Sequence, residues 1–231
     1  MNVYLDHNAT APLRPAAREA MVAAMDLVGN ASSVHGHGRA ARQLLEAARR
    51  DVAALVGVPA AQVIFTSGAT EANNLALAAA GGGPVAVSAV EHESIIGAGQ
   101  DFTVLAVDGD GVLDGDAMER TLATAAPALV SVMAANNETG VVQPISELAA
   151  RAKATGALFH SDMVQVAGKR DILDTAAIDL ISLSAHKIGG PAGIGALINL
   201  GDVDLTPVLR GGGQERGRRA GTENLVGIAG F

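Results

Sequence analysis

The chain has 231 residues, 49% of them hydrophobic, which is enough to build one large domain around a sizeable core. Its formal net charge of -8 supplies no basic field for phosphate backbones, which argues against nucleic acid as a partner. Cysteine is absent, removing disulfides, thiolate metal sites and a cysteine nucleophile, and no apolar run approaches the roughly 18 residues of a membrane span. With no signal-peptide pattern at its start, the chain reads as cytoplasmic.

Helical and strand-like segments then alternate. In "RAARQLLEAARRDVAALVG", Leu44, Leu45, Ala48, Val52 and Leu55 recur at helical spacing and Gly57 marks a stop. The apolar run "QVIFT" ends at the small-residue turn Ser67-Gly68, and "ATEANNLALAAA" follows as a helix with Glu71 in its first turn. Further strands are expected in "PVAVSAV", "FTVLAV", "ALVSVMAA", "ALFHSD", "IDLISLSA" and "GIGALINL". Between two of them, "PISELAARAKATG" reads as a helix, with Pro144 suited to its first turn, Glu147 in reach of Arg151, and Gly156 at the exit.

Continuously apolar strands separated by helices predict an α/β domain with a mostly parallel sheet covered on both faces. Ligands gather at the carboxyl ends of such strands. The polar residues there form a constellation: Ser67 to Thr70, Glu91-His92, Asn136 to Glu138, Asp162 with Gln165, and Ser184-His186-Lys187. The turn entering "ATEANN" points free amides and a helix dipole outward, which suits a phosphate but equally an ordinary cap. Asp162 and Lys187 at neighbouring strand ends are open to two readings. They could form a plain ion pair, or a lysine partly desolvated could act as an amine nucleophile toward an aldehyde, with an aspartate to partner a pyridinium nitrogen. Phosphate cup, lysine and aspartate together describe a pocket for pyridoxal phosphate.

The motifs "VYLDHNATAP", "NASSVHGHGR", "VIFTSGATEANN", "EHES", "NNETGVVQPI", "HSDMVQVAGK", "SLSAHKIGGPAGIGAL" and "GGGQERGRRAGTEN" occur in this order along the whole chain. Together they resemble the cysteine desulfurases, the NifS-like branch of the class V aminotransferases. The resemblance implies the fold type I large domain, a seven-stranded sheet between helix layers, with residues 1–15 as an active-site segment and 16–231 as the cofactor-binding domain. It implies that Lys187 holds pyridoxal phosphate covalently and shuttles the α-proton, Asp162 keeps the ring nitrogen protonated, and His92 stacks on the ring and moves protons. Gln165 would bond the ring hydroxyl and Asn137 the ring or the substrate carboxylate. Ala69, Thr70, Ser184 and His186 would hold the phosphate, and Thr222 would reach the phosphate of a partner subunit in a homodimer. The expected glycine-rich turn after Lys187 would wrap closely around the cofactor.

The implied reaction removes sulfur from L-cysteine, gives L-alanine and an enzyme persulfide, and passes sulfur to an acceptor or scaffold protein for iron–sulfur clusters or tRNA thiolation. Selenocysteine lyase, another class V enzyme, or a silent dimerising scaffold are the alternatives. Two departures stand out: the persulfide-forming cysteine is lacking, and His7 stands where many relatives carry asparagine. The final "LVGIAGF" reads as the opening of a buried helix, so a further domain is expected to follow. Three other features carry less. The "HGH" pair His35 and His37 lacks partners for a metal shell, "GPAGIG" lacks the spacing of a dinucleotide fingerprint, and His160 inside an apolar strand reads as a satisfied core residue. The run "ERGRR" reads as a loop crossing a dimer interface, with a basic patch or a solvated turn as alternatives.

Overall fold

The computed structural model describes residues 3–99, 101–170 and 175–231. Seven strands form one sheet: β1 (Val63–Thr66), β2 (Val85–Ser88), β3 (Phe102–Leu105), β4 (Leu129–Ser131), β5 (Leu158–Asp162), β6 (Leu180–Ser184) and β7 (Gly195–Asn199). Their order is β1-β7-β6-β5-β4-β2-β3. The pairs from β3 through β6 are parallel, while β7 runs antiparallel to both of its neighbours. The mostly parallel α/β sheet expected from the apolar runs is therefore present, each run occupying its own strand.

Every residue of β1, β2, β4, β6 and β7 is buried, as sheet strands covered on both faces require. One core layer gathers Leu45, Val52, Phe65, Val130, Leu148, Phe159 and Ile181. The other gathers Ile64, Leu75, Ile95, Leu129, Leu180 and Leu197. Neighbouring strand residues such as Ile64 and Phe65 go to opposite layers because side chains alternate along a strand.

Helix α2 (Gly36–Val56) turns Ala41, Leu45, Val52, Ala53 and Val56 inward, and it stops at Gly57, whose φ of 71° suits a residue without Cβ. Helix α3 (Ala69–Ala78) follows β1 and α6 (Ile145–Ala154) precedes β5. In α6, Pro144 sits at the N-cap rather than within the first turn, and Glu147 bonds Arg151 at 2.9 Å as expected. Arg151 also reaches Asp116 and Glu119 on α5 (Gly115–Ala125), tying two helices together. The remaining helices are α1 (Pro15–Met25), α4 (Glu93–Ile96) and α7 (Leu225–Ala229). Among the described residues no helix is long and apolar enough to cross a membrane.

His160 is held in the core by Ser131 Oγ at 2.8 Å on Nδ1 and Ser182 Oγ at 2.9 Å on Nε2. Burial pushes its imidazole down to about 3, so the ring is neutral, as a satisfied core residue should be. His35 is the N-cap of α2, its Nδ1 accepting the Gly38 N–H.

Candidate active site

A cleft of about 370 Å³ opens where the strands β1, β2, β4, β5 and β6 end. Nine of the ten residues singled out in the sequence line it: Ala69, Thr70, His92, Asn137, Asp162, Gln165, Ser184, His186 and Lys187. Thr222 does not. It borders a smaller neighbouring cavity of about 80 Å³, which shares Ser67 and Gly193 with the cleft.

The floor is built on β5 and β6, adjacent parallel strands paired Asp162 to Ser182. Asp162 is buried; its Oδ1 accepts the Val164 N–H at 3.0 Å and its Oδ2 accepts Asn73 Nδ2 at 2.8 Å. Desolvation pushes this carboxyl above its ordinary range, while its two hydrogen bonds and the nearby His92 and Lys187 pull the other way. A buried carboxylate in this balance needs a cation or a strong donor from the cleft. A protonated ring nitrogen meets that need.

Asn73 and Ser94, passed over in the motif reading, link this carboxylate to His92. Asn73 Nδ2 donates both to Asp162 and to Ser94 Oγ at 2.8 Å, and Ser94 Oγ lies 2.9 Å from His92 Nδ1. His92 is the N-cap of α4, and its Nδ1 accepts the Ser94 N–H at 3.1 Å. A neutral ring that accepts at Nδ1 carries its proton on Nε2. Asparagine and serine inside helices carry no motif signal of their own, so only the contact reveals them.

Beside His92, Glu91 is buried and its Oε1 accepts from Ser88 Oγ and the Met133 N–H. Desolvation, aided by the Asp162 charge, pushes Glu91 up to about 8. Burial thus favours the neutral form of Glu91, which lies outside the cleft that Asp162 and Glu71 line.

Lys187 closes the short turn after β6. Burial lowers its amine, opposed by the charges of Asp162 and Asp6, and its Nζ donates to the Asn8 carbonyl oxygen. The N-terminal segment is pinned beside it: the Ala11 N–H donates to His186 O at 2.8 Å and Asn8 Nδ2 to Asn137 O at 3.1 Å. The glycines directly after Lys187 correct the sequence expectation. Gly189 has φ 93° and packs against Arg14, whose N–H donates to Gly189 O at 2.9 Å; it holds the N-terminal segment, and it is Gly193 further on that lines the cleft.

At the opposite wall, α3 points its N-terminus into the cleft. Gly68 at the N-cap brings no capping side chain, which leaves the first-turn amides as donors for an anion in the cleft that Ala69, Thr70, Ser184 and His186 share. Glu71 in that turn does not repel such an anion freely, because Arg219 donates to it at 2.8 Å and the Ser67 N–H at 2.7 Å. This pair turns Arg219 of the "ERGRR" run inward, while Arg216 stays exposed. Cleft volume, buried carboxylate, half-buried amine and anion-binding helix end together fit pyridoxal phosphate.

The aminotransferase class-V pattern matches residues 3–231, nearly the whole chain. The chain belongs to that family. Within it, the chain is 46% identical over 245 aligned positions to a cysteine desulfurase of Cereibacter sphaeroides and 40% identical to the cysteine desulfurase IscS of Dictyoglomus turgidum, with 99% of this chain covered in each case. It spans 63% and 62% of the lengths of those two relatives. The NifS-like protein of Rickettsia africae superposes with a TM-score of 0.94 at 40% identity, covering all of this chain and 67% of that one. The fold is therefore the fold type I architecture of the NifS-like proteins.

Proposed function

We propose that these residues carry the cofactor site of a cysteine desulfurase, working as a cytoplasmic homodimer on L-cysteine. The observation that carries this reading is the meeting of Lys187, Asp162 and the open N-terminus of α3 in one cleft. Support comes from the desulfurase relatives, which match along nearly all of this chain.

When bound, pyridoxal phosphate supplies an aldehyde that joins to amines and a protonated ring that takes up the electrons left by a departing α-hydrogen. Lys187 supplies the amine; lowered by burial, it is more readily freed of its proton and able to attack a carbonyl carbon. The same amine, when free, would be placed to take the α-proton of an amino acid bound in the cleft. Asp162 would keep a proton on the ring nitrogen, its carboxylate held in place by the Asn73 bond. His92 presents its Nε2 N–H, its other nitrogen being engaged by Ser94. Gln165 would donate to the ring hydroxyl, and Asn137 would meet the ring or the substrate carboxylate. The α3 amides at Ala69 and Thr70, with Ser184 and His186, hold the phosphate, and Thr222 serves the partner's site. The thiolate that accepts sulfur comes from outside these 231 residues, which contain no cysteine. Sulfur then passes to an acceptor protein.

The test is exchange of the α-hydrogen of L-cysteine for deuterium in heavy water, with pyridoxal phosphate added and the reaction followed by mass spectrometry. Exchange is expected, falling by roughly 10²–10⁴ in Lys187→Ala, the range for loss of a general base. Exchange that survives the substitution would remove Lys187 from the assigned role.

A further inference from the structure

The turn after β5 places two side chains four residues apart on one face, Gln165 toward the cleft and Lys169 behind it. Lys169 Nζ donates to Gln165 Oε1 at 2.6 Å and lies 3.4 Å from Asn8 Oδ1. Gln165 Nε2 in turn donates to the Asn8 carbonyl oxygen at 2.9 Å, the oxygen that also accepts from Lys187. A lysine ammonium can only donate and a peptide carbonyl can only accept. Rotating the Gln165 amide by half a turn would therefore set donor against donor at Lys169 and acceptor against acceptor at Asn8. Lys169 does not border the cleft, whereas Gln165 does.

We propose that Lys169 is a positioning residue: by occupying the Gln165 carbonyl oxygen it turns the amide N–H₂ end toward the cleft, and through Asn8 it holds the N-terminal segment beside Lys187. A freely rotating glutamine would offer its carbonyl as often as its N–H₂, and a carbonyl repels the oxygen of a deprotonated ring hydroxyl. Fixing the amide in advance removes that loss. Lys169 has no other assignment in the site, and two features support an electrostatic partnership with it. Burial lowers its amine, with the Lys187 charge adding to the effect, and three neutral acceptors around the two ammonium groups relieve their repulsion: Gln165 Oε1, Asn8 Oδ1 and Asn8 O. The consequence for cofactor binding rests on the reading given under Proposed function; the orientation of the amide does not.

The experiment follows the Gln165 side-chain amide by nitrogen-15 NMR in the wild type, Lys169→Met and Lys169→Arg, and then measures pyridoxal phosphate affinity in the same proteins and in Gln165→Ala. In Lys169→Met the Gln165 amide signals should move and their protons exchange with water about tenfold faster, the equivalent of one hydrogen bond, while Lys169→Arg keeps the wild-type pattern. The cofactor dissociation constant should rise about tenfold in Lys169→Met, yet Lys169→Met should add nothing in the Gln165→Ala background, because one side chain acts through the other. Unmoved Gln165 signals in Lys169→Met, or an equal loss of affinity with and without the Gln165 side chain, overturns the proposal. If Lys169→Met shows the NMR effect but the wild-type protein does not bind pyridoxal phosphate, the cofactor reading falls and the positioning of Gln165 stands.

Discussion

Glu215→Ala is expected to lower the unfolding free energy by about 3–5 kcal/mol, a large share of the roughly 5–15 kcal/mol that holds a domain together. Glu215 and Arg49 are each only 5% exposed and meet in a two-pronged pair at 2.7 and 2.8 Å. Arg49 Nη1 also donates to Val63 O, its guanidinium lies 4.9 Å from the centre of the Phe65 ring, and the Phe65 N–H donates to Glu215 at 3.0 Å. Burial alone would lower the Arg49 guanidinium; the hydrogen bond and charge of Glu215 override it and raise it instead. Removing the carboxylate leaves the buried guanidinium only the longer, half-exposed Glu46 contact at 3.3 Å and the Val63 carbonyl, and it takes from the Phe65 N–H its side-chain acceptor. The remedy is also predictable, since replacing both partners by apolar side chains of similar volume should recover most of the loss.

This pair matters beyond stability because Glu215 belongs to the loop that carries Thr222. Glu215 and Arg216 hold φ of 47° and 59°, conformations that side chains with a Cβ adopt only when the surroundings enforce them. The Arg49 pair and the Arg219–Glu71 pair are the enforcement, one on each side of Arg216. Urea titration of Glu215→Ala should show a lower midpoint with an unchanged slope. A loss below about 1 kcal/mol, the value of an exposed pair, would show that water reaches the site.

Asp162→Asn should separate stability from ligand binding. Asparagine keeps an oxygen for the Val164 N–H, and a half-turn of the Asn73 amide would offer its buried, unpartnered Oδ1 to the new N–H₂. Because burial opposes ionisation at position 162, removing the charge should leave the cofactor-free protein at least as stable at neutral pH. Affinity for pyridoxal phosphate should nevertheless fall by about a hundredfold or more, as the ring cation loses its buried counter-ion. Equilibrium titration with the cofactor, beside thermal melts without it, measures both. A variant that binds as tightly as the wild type would mean that Asp162 does not face the ring nitrogen.

All seven strands were legible as short apolar runs, whether parallel and buried like β4 and β6 or, like β3, half-exposed at the sheet edge, and so were α2, α3 and α6. Helix α5 follows an Asp114 cap that the reading passed over, and α1 has no acidic first turn or basic last turn to mark it. The reversal of β7 was not foreseen, although residues 185–194 are too short for a parallel crossover through a helix. The site was legible to the extent that its residues follow strand ends: Asp162 ends β5, Ser184 ends β6, and His92 stands in the turn beyond β2. Asn73, Ser94 and Lys169 were not, since each acts through a neighbour that only the folded chain supplies. Gly189 shows the same limit. Its type announced a tight turn, but which segment packs into that turn depends on residues 175 positions away.

The most direct measurement is an absorbance spectrum of the purified chain with pyridoxal phosphate, before and after borohydride, followed by peptide mapping. The chain has three lysines, Lys153, Lys169 and Lys187, so the attachment point is read without ambiguity. The structure predicts a band that borohydride removes, a reduced cofactor fixed to Lys187, and neither in Lys187→Ala. No band in the folded protein, or a label carried by Lys153 or Lys169 in its place, would contradict the account.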